Sequence, residues 1–326
     1  MTNTKEFPNL KLEHLRSHKK FEILVAFGLR TILVLDKELN ILCRYLDSNK
    51  LEKFLCSDFF ECAIENFCSV NSFFLIIGGE SGIIKIIDLK ECKLVTFLKG
   101  HTGAIYDLKI VNNHIVSCGE DSTIRIWDLK TLECVAVCGG VAGHKDHVLS
   151  VDATPDLSLV VSSGTDCIIN QWKFSKSLAS ESFIFNHEPF TTFNNVHKCA
   201  ITKVKYWGNL ILSLSNNIIS VVHNNLNIDG IKEKFFLDKN DPILVGSIEF
   251  FGNCKKFEVC GHMVIGISTN ADVYIFDLRN IIKEKTPYLV STNFNSAEDI
   301  TILNKSFYIT SGCSIHKFDV DLDHFN

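Results

Sequence analysis

The sequence predicts an all-β fold of seven repeated blades, a seven-bladed β-propeller, on three observations. One polar–apolar pattern occurs twice in tandem: Gly-His, an apolar run, Ser, Asp, an alternating apolar strand and Trp. Its residues are His101, Ser117, Asp121 and Trp127 in one copy, and His144, Ser162, Asp166 and Trp172 in the other. Short runs of Ile, Val, Leu and Phe, set off by Gly, Asn, Ser and Asp, fill most of the remaining chain and read as strands. The ends of these runs recur at Leu35-Asp36, Ile87-Asp88, Trp127-Asp128, Trp172-Lys173, His223-Asn224, Phe276-Asp277 and Phe318-Asp319, 40–53 residues apart. That bracket encloses the ~40–45 residues of a four-stranded blade.

The repeated pattern is the WD40 pattern, and its residue types have a physical reason. A blade joins its outer and inner strands through a buried polar relay. The Asp stands in the tight turn between second and third strands, where it can accept from the His imidazole. The Ser hydroxyl and the Trp indole N–H are then satisfied in series, because a buried polar group left unpaired costs about 1–3 kcal/mol. A His, Ser and Asp also make up a hydrolase triad. Repetition in each blade makes this set architectural rather than catalytic.

Taken in order, blade one holds residues 21–28 and 31–36, and residues 1–20 are set apart as an N-terminal segment ahead of a single propeller over 21–326. Few residues follow Phe318, so the fourth strand of blade seven has to come from residues 1–6, which are barely enough, leaving an exposed edge as a hazard. Blade two has residues 73–78 and 83–89 around a turn, Gly78-Gly79-Glu80-Ser81-Gly82. No helix pattern follows that turn, which counts against phosphate binding. Blades three and four carry the full relay. Blade five keeps the spacing with His197, Ser213, Asn217 and His223, whereas blades six and seven have Asn270 and Gly312 at the Asp position. Two connections, 175–196 and 224–245, exceed what a blade needs and read either as functional loops or as polar insertions.

Composition narrows the class. With 326 residues, 46% of them hydrophobic, the chain can bury a large core. No run of about 18 apolar residues suggests a membrane span, and residues 1–20 lack the apolar stretch of a signal peptide. The thirteen cysteines form no Cys-x-x-Cys pair, and neither Cys56, Cys62 and Cys68 nor Cys134 and Cys138 have zinc-ligand spacing. Nearly all are expected as small apolar fillers in a reducing compartment. No cofactor or metal is expected. A net charge of −5 counts against direct nucleic-acid binding and suits basic partners.

The segment Cys138-Gly139-Gly140-Val141-Ala142-Gly143-His144-Lys145-Asp146-His147-Val148-Leu149-Ser150-Val151-Asp152 resembles the embryonic ectoderm development / extra sex combs family, the WD40 subunits of Polycomb repressive complex 2. Gly79 to Ile87, Gly100 to Asp107, Phe190-Thr191-Thr192 and Tyr206-Trp207-Gly208-Asn209-Leu210-Ile211-Leu212-Ser213 are similar to the same family. Together the resemblance covers roughly residues 56–215. It implies a nuclear, non-enzymatic scaffold that holds a histone methyltransferase catalytic subunit and other Polycomb subunits on one face. On the other face it implies an aromatic cage that takes trimethyl-lysine of the histone H3 tail and stimulates the catalytic subunit. A quaternary ammonium donates no hydrogen bond, so ring faces hold it.

The resemblance points to Phe60 as the second-blade cage aromatic, to Phe250 and Phe251 at the opening of the sixth blade, and to Phe7 near the first. These positions assume that the first residues of each inner strand lie at the channel mouth. Every candidate is Phe where the family also uses Trp and Tyr, which weakens the cage. A generic WD40 interaction scaffold, in a ubiquitin ligase or transport assembly, is the rival reading and predicts a charged mouth without an aromatic cluster. An enzyme would need converging acid–base groups. Glu61, Asp107 and Asp152 fall on inner strands of different blades, and no His joins them.

Overall fold

In a computed structural model the described residues are all-β, with one short 3-10 turn at Leu278–Asn280. The structure describes residues 2–61, 73–174, 183–224, 243–281, 287–290, 292, 296–304 and 306–319. Cys62 and Cys68, and residues 175–182 and 225–242 of the two long connections, lie outside them.

Seven antiparallel sheets follow one another along the chain, giving the seven-bladed propeller class. Blade 1 comprises Leu12–His18, Ile23–Gly28, Thr31–Asp36 and Ile41–Leu46. Blade 2 comprises Phe54–Glu61, Phe73–Gly79, Ile83–Asp88 and Lys93–Lys99. Blade 3 is Ile105–Val111, His114–Gly119, Ile124–Asp128 and Glu133–Cys138, with Ile184–Asn186 added in parallel at its edge. Blade 4 is Val148–Ala153, Leu159–Gly164, Ile169–Lys173 and Thr191–Phe193. Blade 5 is Lys203–Trp207, Leu210–Ser215, Ile218–His223 and Leu244–Glu249. Blade 6 is Cys254–Cys260, Met263–Ser268, Val273–Asp277 and Tyr288–Val290. Blade 7 is Asp299–Leu303, Ser306–Ser311 and Ser314–Asp319, completed by Thr2–Glu6 from the start of the chain. Residues 2–18 are therefore not a separate segment: they hold the outer strand of blade 7 and the inner strand of blade 1.

The chain divides into two compact units, Met1–Phe97 with Glu249–Asn326, and Leu98–Ile248. In the first, the middle strands of blade 1 are buried on both faces, so they are continuous apolar runs rather than alternating ones. Alternation still decides the neighbour. Leu24, Ala26, Leu33 and Leu35 pack with Leu303, Tyr308 and Ile315 of blade 7. Ile23, Val25, Phe27, Ile32 and Val34 pack with Phe54, Leu75, Ile77 and Ile87 of blade 2. In the second unit, Val116, Cys118, Ile124 and Ile126 of blade 3 pack with Val148, Val151, Val160 and Trp172 of blade 4.

Two local devices recur. The Asp after the third strand accepts amides of the following turn: Asp36 from Glu38 and Asn40, Asp88 from Lys90, Asp128 from Lys130 and Asp277 from Arg279. That is why strand ends are recognisable in the sequence. Where the inner strand starts, its backbone crosses the end of the second strand so closely that a Cβ at Gly28, Gly79, Gly119 or Gly164 would meet a carbonyl oxygen at 2.0–2.3 Å.

One finding departs from the expectation that nearly all cysteines are apolar fillers in a reducing compartment: Cys43 of blade 1 and Cys92, in the turn before the last strand of blade 2, form a disulfide with Cα atoms 6.2 Å apart. Both flank the core shared by blades 1 and 2. Without reductant, Cys43→Ser should lower the unfolding free energy by about 2–4 kcal/mol. Reductant should bring the unsubstituted protein to the same level in a denaturant titration. Identical curves with and without reductant would show that the bridge contributes nothing.

Candidate functional site

In the second unit the polar relay is continuous in blades 3 and 4. His101 directs Nδ1 at the Asp121 carboxylate (2.9 Å) and Nε2 at Ser117 Oγ (2.8 Å), and the Trp127 indole N–H donates to the same Oγ at 2.9 Å. His144, Asp166, Ser162 and Trp172 repeat those distances. Asp121 also accepts from the Thr102 amide and from the Thr123 amide and hydroxyl. Burial pushes the Asp121 carboxyl up, but the His101 hydrogen bond and charge, helped by Thr123 and Thr102, carry it well below its ordinary value; Asp166 is lowered in the same way by His144 and by the Lys145 and Ile168 amides. The geometry is that of a nucleophile–base–acid triad. The Ser117 and Ser162 hydroxyls, however, are fully enclosed and capped by an indole, so no substrate reaches them.

Blade 5 keeps part of the relay. His197 Nε2 lies 2.8 Å from Ser213 Oγ, and burial lowers the pKa of His197 against the Ser213 contact. His223, at the Trp position, turns to the Asn224 carbonyl at 3.0 Å. A shorter ring than indole cannot span the same gap.

The inner strands carry charge. Asp107 of blade 3 accepts from Lys203 at 2.7 Å, from Ser150 Oγ at 2.7 Å and from the Val151 amide of blade 4. Asp152 of blade 4 accepts from the Tyr206 amide of blade 5 at 2.9 Å, and burial raises its pKa despite Lys109 and Lys205. In the first unit, Asp299 of blade 7 accepts from the Leu15 amide of blade 1 at 2.9 Å and pairs with Lys256. Burial pulls that ammonium down to about 8, opposed by Asp299 and assisted by Arg16. Arg16 in turn pairs with Glu258 at 2.8 Å. The carboxylates Asp107 and Asp152, noted in the sequence as isolated acids, thus tie each inner strand to the next. Among the described residues no group of three or more His, Cys, Asp or Glu is placed to hold a metal ion.

The cage candidates do not share one place. Phe60 is the seventh of eight residues in its inner strand and pairs with Phe74 near the start of the second strand, so it lies at the far end of blade 2 from the strand's beginning. This corrects its expected position at the start of an inner strand, where Phe54 stands opposite Gly79. Phe7, ahead of the inner strand of blade 1, packs in the core with Leu12, Leu15, Leu303 and Tyr308. Phe250, ahead of the inner strand of blade 6, meets Tyr274 edge-on at 5.0 Å and lies over Gly266. The exposures of Phe7, Phe60 and Phe250 are 4%, 4% and 2%, against 71% for Phe251, whose carbonyl accepts the Tyr274 hydroxyl at 2.6 Å. Only Phe251 of the four offers an open ring face.

Comparison with known proteins agrees with this architecture. The WD domain, G-beta repeat profile matches residues 92–128 and 132–173, the two stretches that carry the complete relays. The Polycomb protein esc of Drosophila virilis is 30% identical over 177 residues, 48% of this chain and 42% of that protein. The Polycomb protein EED of Chaetomium thermophilum is 34% identical over 148 residues, 43% of this chain and 26% of that protein. This chain carries WD40 repeats and is similar in sequence to the Polycomb esc and EED proteins. The matched stretch spans less than half the length of either relative. The fold likeness is wider: a chain in the crystal structure of the Chaetomium thermophilum polycomb repressive complex 2 superposes with a TM-score of 0.79, covering 98% of this chain and 97% of that one at 14% identity. A chain from that complex bound to histone H3 trimethylated on lysine 27 superposes with a TM-score of 0.69 over 85% of this chain and 70% of that one, at 19% identity.

The relay carboxylates Asp121 and Asp166 contribute stability that is lost in acid. Their folded pKa lies below the unfolded value of about 3.9, so the stabilisation is full above that value and is lost as the pH falls through the folded one. At pH 7, Asp121→Asn with Asp166→Asn should therefore melt lower than the unsubstituted protein, by about 1–3 kcal/mol per site. The gap should narrow as the pH is taken from 5 towards 2 in thermal melts. A gap that stays constant would exclude these two groups from the acid transition.

Proposed function

We propose that this protein is the non-enzymatic WD40 scaffold subunit of a nuclear, Polycomb-type histone H3 lysine methyltransferase complex. The observation that carries the reading is the sequence similarity to esc and EED combined with one fold over nearly the whole chain. The partners it implies are the catalytic methyltransferase subunit, other Polycomb subunits and the histone H3 tail. The fully buried Ser of each complete relay supports a role without catalysis of its own.

Reading of trimethyl-lysine on histone H3 belongs to the proposal through Phe251, whose ring is open at the start of blade 6. A scaffold without methyl-lysine reading is the second reading, favoured by the buried rings of Phe7, Phe60 and Phe250 and by the charged inner strands. Two measurements separate these. Co-expressed with the catalytic subunit of its own organism, the protein should elute as one complex; separate elution would overturn the scaffold reading. In peptide titrations one exposed ring should favour the trimethylated H3 tail over the unmethylated one by roughly two- to five-fold. Phe251→Ala should abolish that preference and Phe60→Ala should leave it unchanged. Equal affinity for both peptides would leave the scaffold reading alone.

A further inference from the structure

Where the inner strands of blades 1 and 2 end, the first unit gathers a set of rings absent from the sequence-level candidates. His18 closes the strand Leu12–His18, Phe21 follows in the turn, Phe59 stands near the end of Phe54–Glu61, and Phe73 opens Phe73–Gly79. Phe21 and Phe73 have ring centroids 4.4 Å apart; Phe59 and Phe73 stack at 5.3 Å. His18 lies 5.2 Å from Phe21, 5.2 Å from Phe59 and 4.8 Å from Phe73. At the edge of this group stands Glu61, whose Oε1 is 2.8 Å from His18 Nε2 and whose Oε2 is ion-paired to Lys20. The Lys20 ammonium sits 5.2 Å from the Phe21 ring centroid.

A carboxylate beside phenyl rings is the composition that holds a protonated nitrogen. The rings attract the cation through their quadrupoles, and the carboxylate accepts its N–H groups. The chain's own Lys20 demonstrates the chemistry: one exposed ammonium touches both the ring and the acid. Two features show that the group is more than packing. Phe21 is 46% exposed, and the buried His18 Nδ1 has no hydrogen-bond partner among the described residues. An exposed ion pair such as Lys20–Glu61 holds weakly and exchanges readily.

We propose that His18, Phe21, Phe59, Phe73 and Glu61 form a docking site for the protonated lysine or arginine side chain of a basic peptide segment in a partner, which replaces Lys20 between Glu61 and Phe21. The occupant carries N–H groups, because Glu61 must be satisfied. A trimethylated lysine cannot donate to it, so this site differs in kind from a methyl-lysine cage. The overall charge of −5 favours approach of a basic segment.

The test uses the full chain and short Gly-Ser peptides bearing paired lysines, paired arginines, paired acetyl-lysines or paired trimethyl-lysines, followed by calorimetry and by aromatic NMR shifts. Lysine and arginine peptides should bind saturably and move the Phe21 resonances, and their ratio identifies which cation is preferred. Acetyl and trimethyl peptides should bind about ten-fold more weakly. Lys20→Ala should tighten binding several-fold by removing the internal competitor, Glu61→Gln should weaken it about ten-fold, and Phe21→Ala roughly two- to five-fold. Lys20 and Glu61 are surface groups, so their variants keep the fold and can be checked by unchanged melting curves. Absence of saturable binding, equal binding of the acetylated peptides, preference for the trimethylated ones, or indifference to Lys20→Ala and Glu61→Gln would each overturn the proposal. None of these outcomes depends on assembly with a methyltransferase.

Discussion

Blade 1 owns no core of its own. Its middle strands are apolar on both faces, and each face is satisfied only by a neighbour: alternate residues of Ile23–Gly28 and Thr31–Asp36 go to blade 7 and to blade 2. Everything else follows from that dependence. A sheet that must press its two faces against others has nowhere to put polar groups except its edges, its turns and a few enclosed relays. The relays of blades 3 and 4 occupy the one interior position where a hydroxyl, an imidazole and an indole can satisfy each other in line. At the inner edge the same problem is met by carboxylates. Asp107, Asp152 and Asp299 each accept an amide from the inner strand of the following blade, and two of them also hold a lysine. An unpaired edge amide is thereby capped and two blades are joined by one side chain.

This economy explains what could be read from the sequence. The blades with complete relays were legible because four residue types at fixed offsets have few other uses. Four of the seven strand ends were legible because an Asp that closes a turn on its own following amides leaves the same mark at Asp36, Asp88, Asp128 and Asp277, whether or not a Trp precedes it. Blade 6, without a relay, was recovered from that mark at Asp277, and blade 7 from the Phe318-Asp319 pair at a similar spacing. The N-terminal boundary was misread for a related reason. Leu12–His18 sets two apolar residues, Leu12 and Leu15, among Glu13, His14, Arg16, Ser17 and His18, with a register shift between Leu12 and His14, and that looks like a polar leader when no register is known.

The site was much less legible. Placing Phe60 required knowing where its strand begins, and Phe54–Glu61 carries several aromatic and apolar residues that suit the start equally well. Phe7 and Phe250 sit in the right stretch of chain, but their rings turn into cores that no spacing reveals. The group around Phe73 joins two blades through residues 18, 21, 59, 61 and 73; its only sequence trace is the density of aromatics near Phe59. The Cys43–Cys92 bridge left none, because thirteen cysteines in unpatterned positions give every pairing equal standing.

Phe251 and the Phe21 group stand at corresponding opposite ends of blades within the same unit: one ahead of an inner strand, the other where inner strands finish. Their chemistry differs in one respect that decides what each can select. A ring without an acid beside it gains from a cation only through its quadrupole, and a methylated ammonium suits it because nothing is left unsatisfied when water is removed. A ring with Glu61 beside it must keep that carboxylate hydrogen-bonded, and a quaternary cation would strip it of Lys20 while giving no donor in return. Selection by methylation state thus runs in opposite directions at the two ends, set by the presence or absence of a single carboxylate rather than by the number of rings.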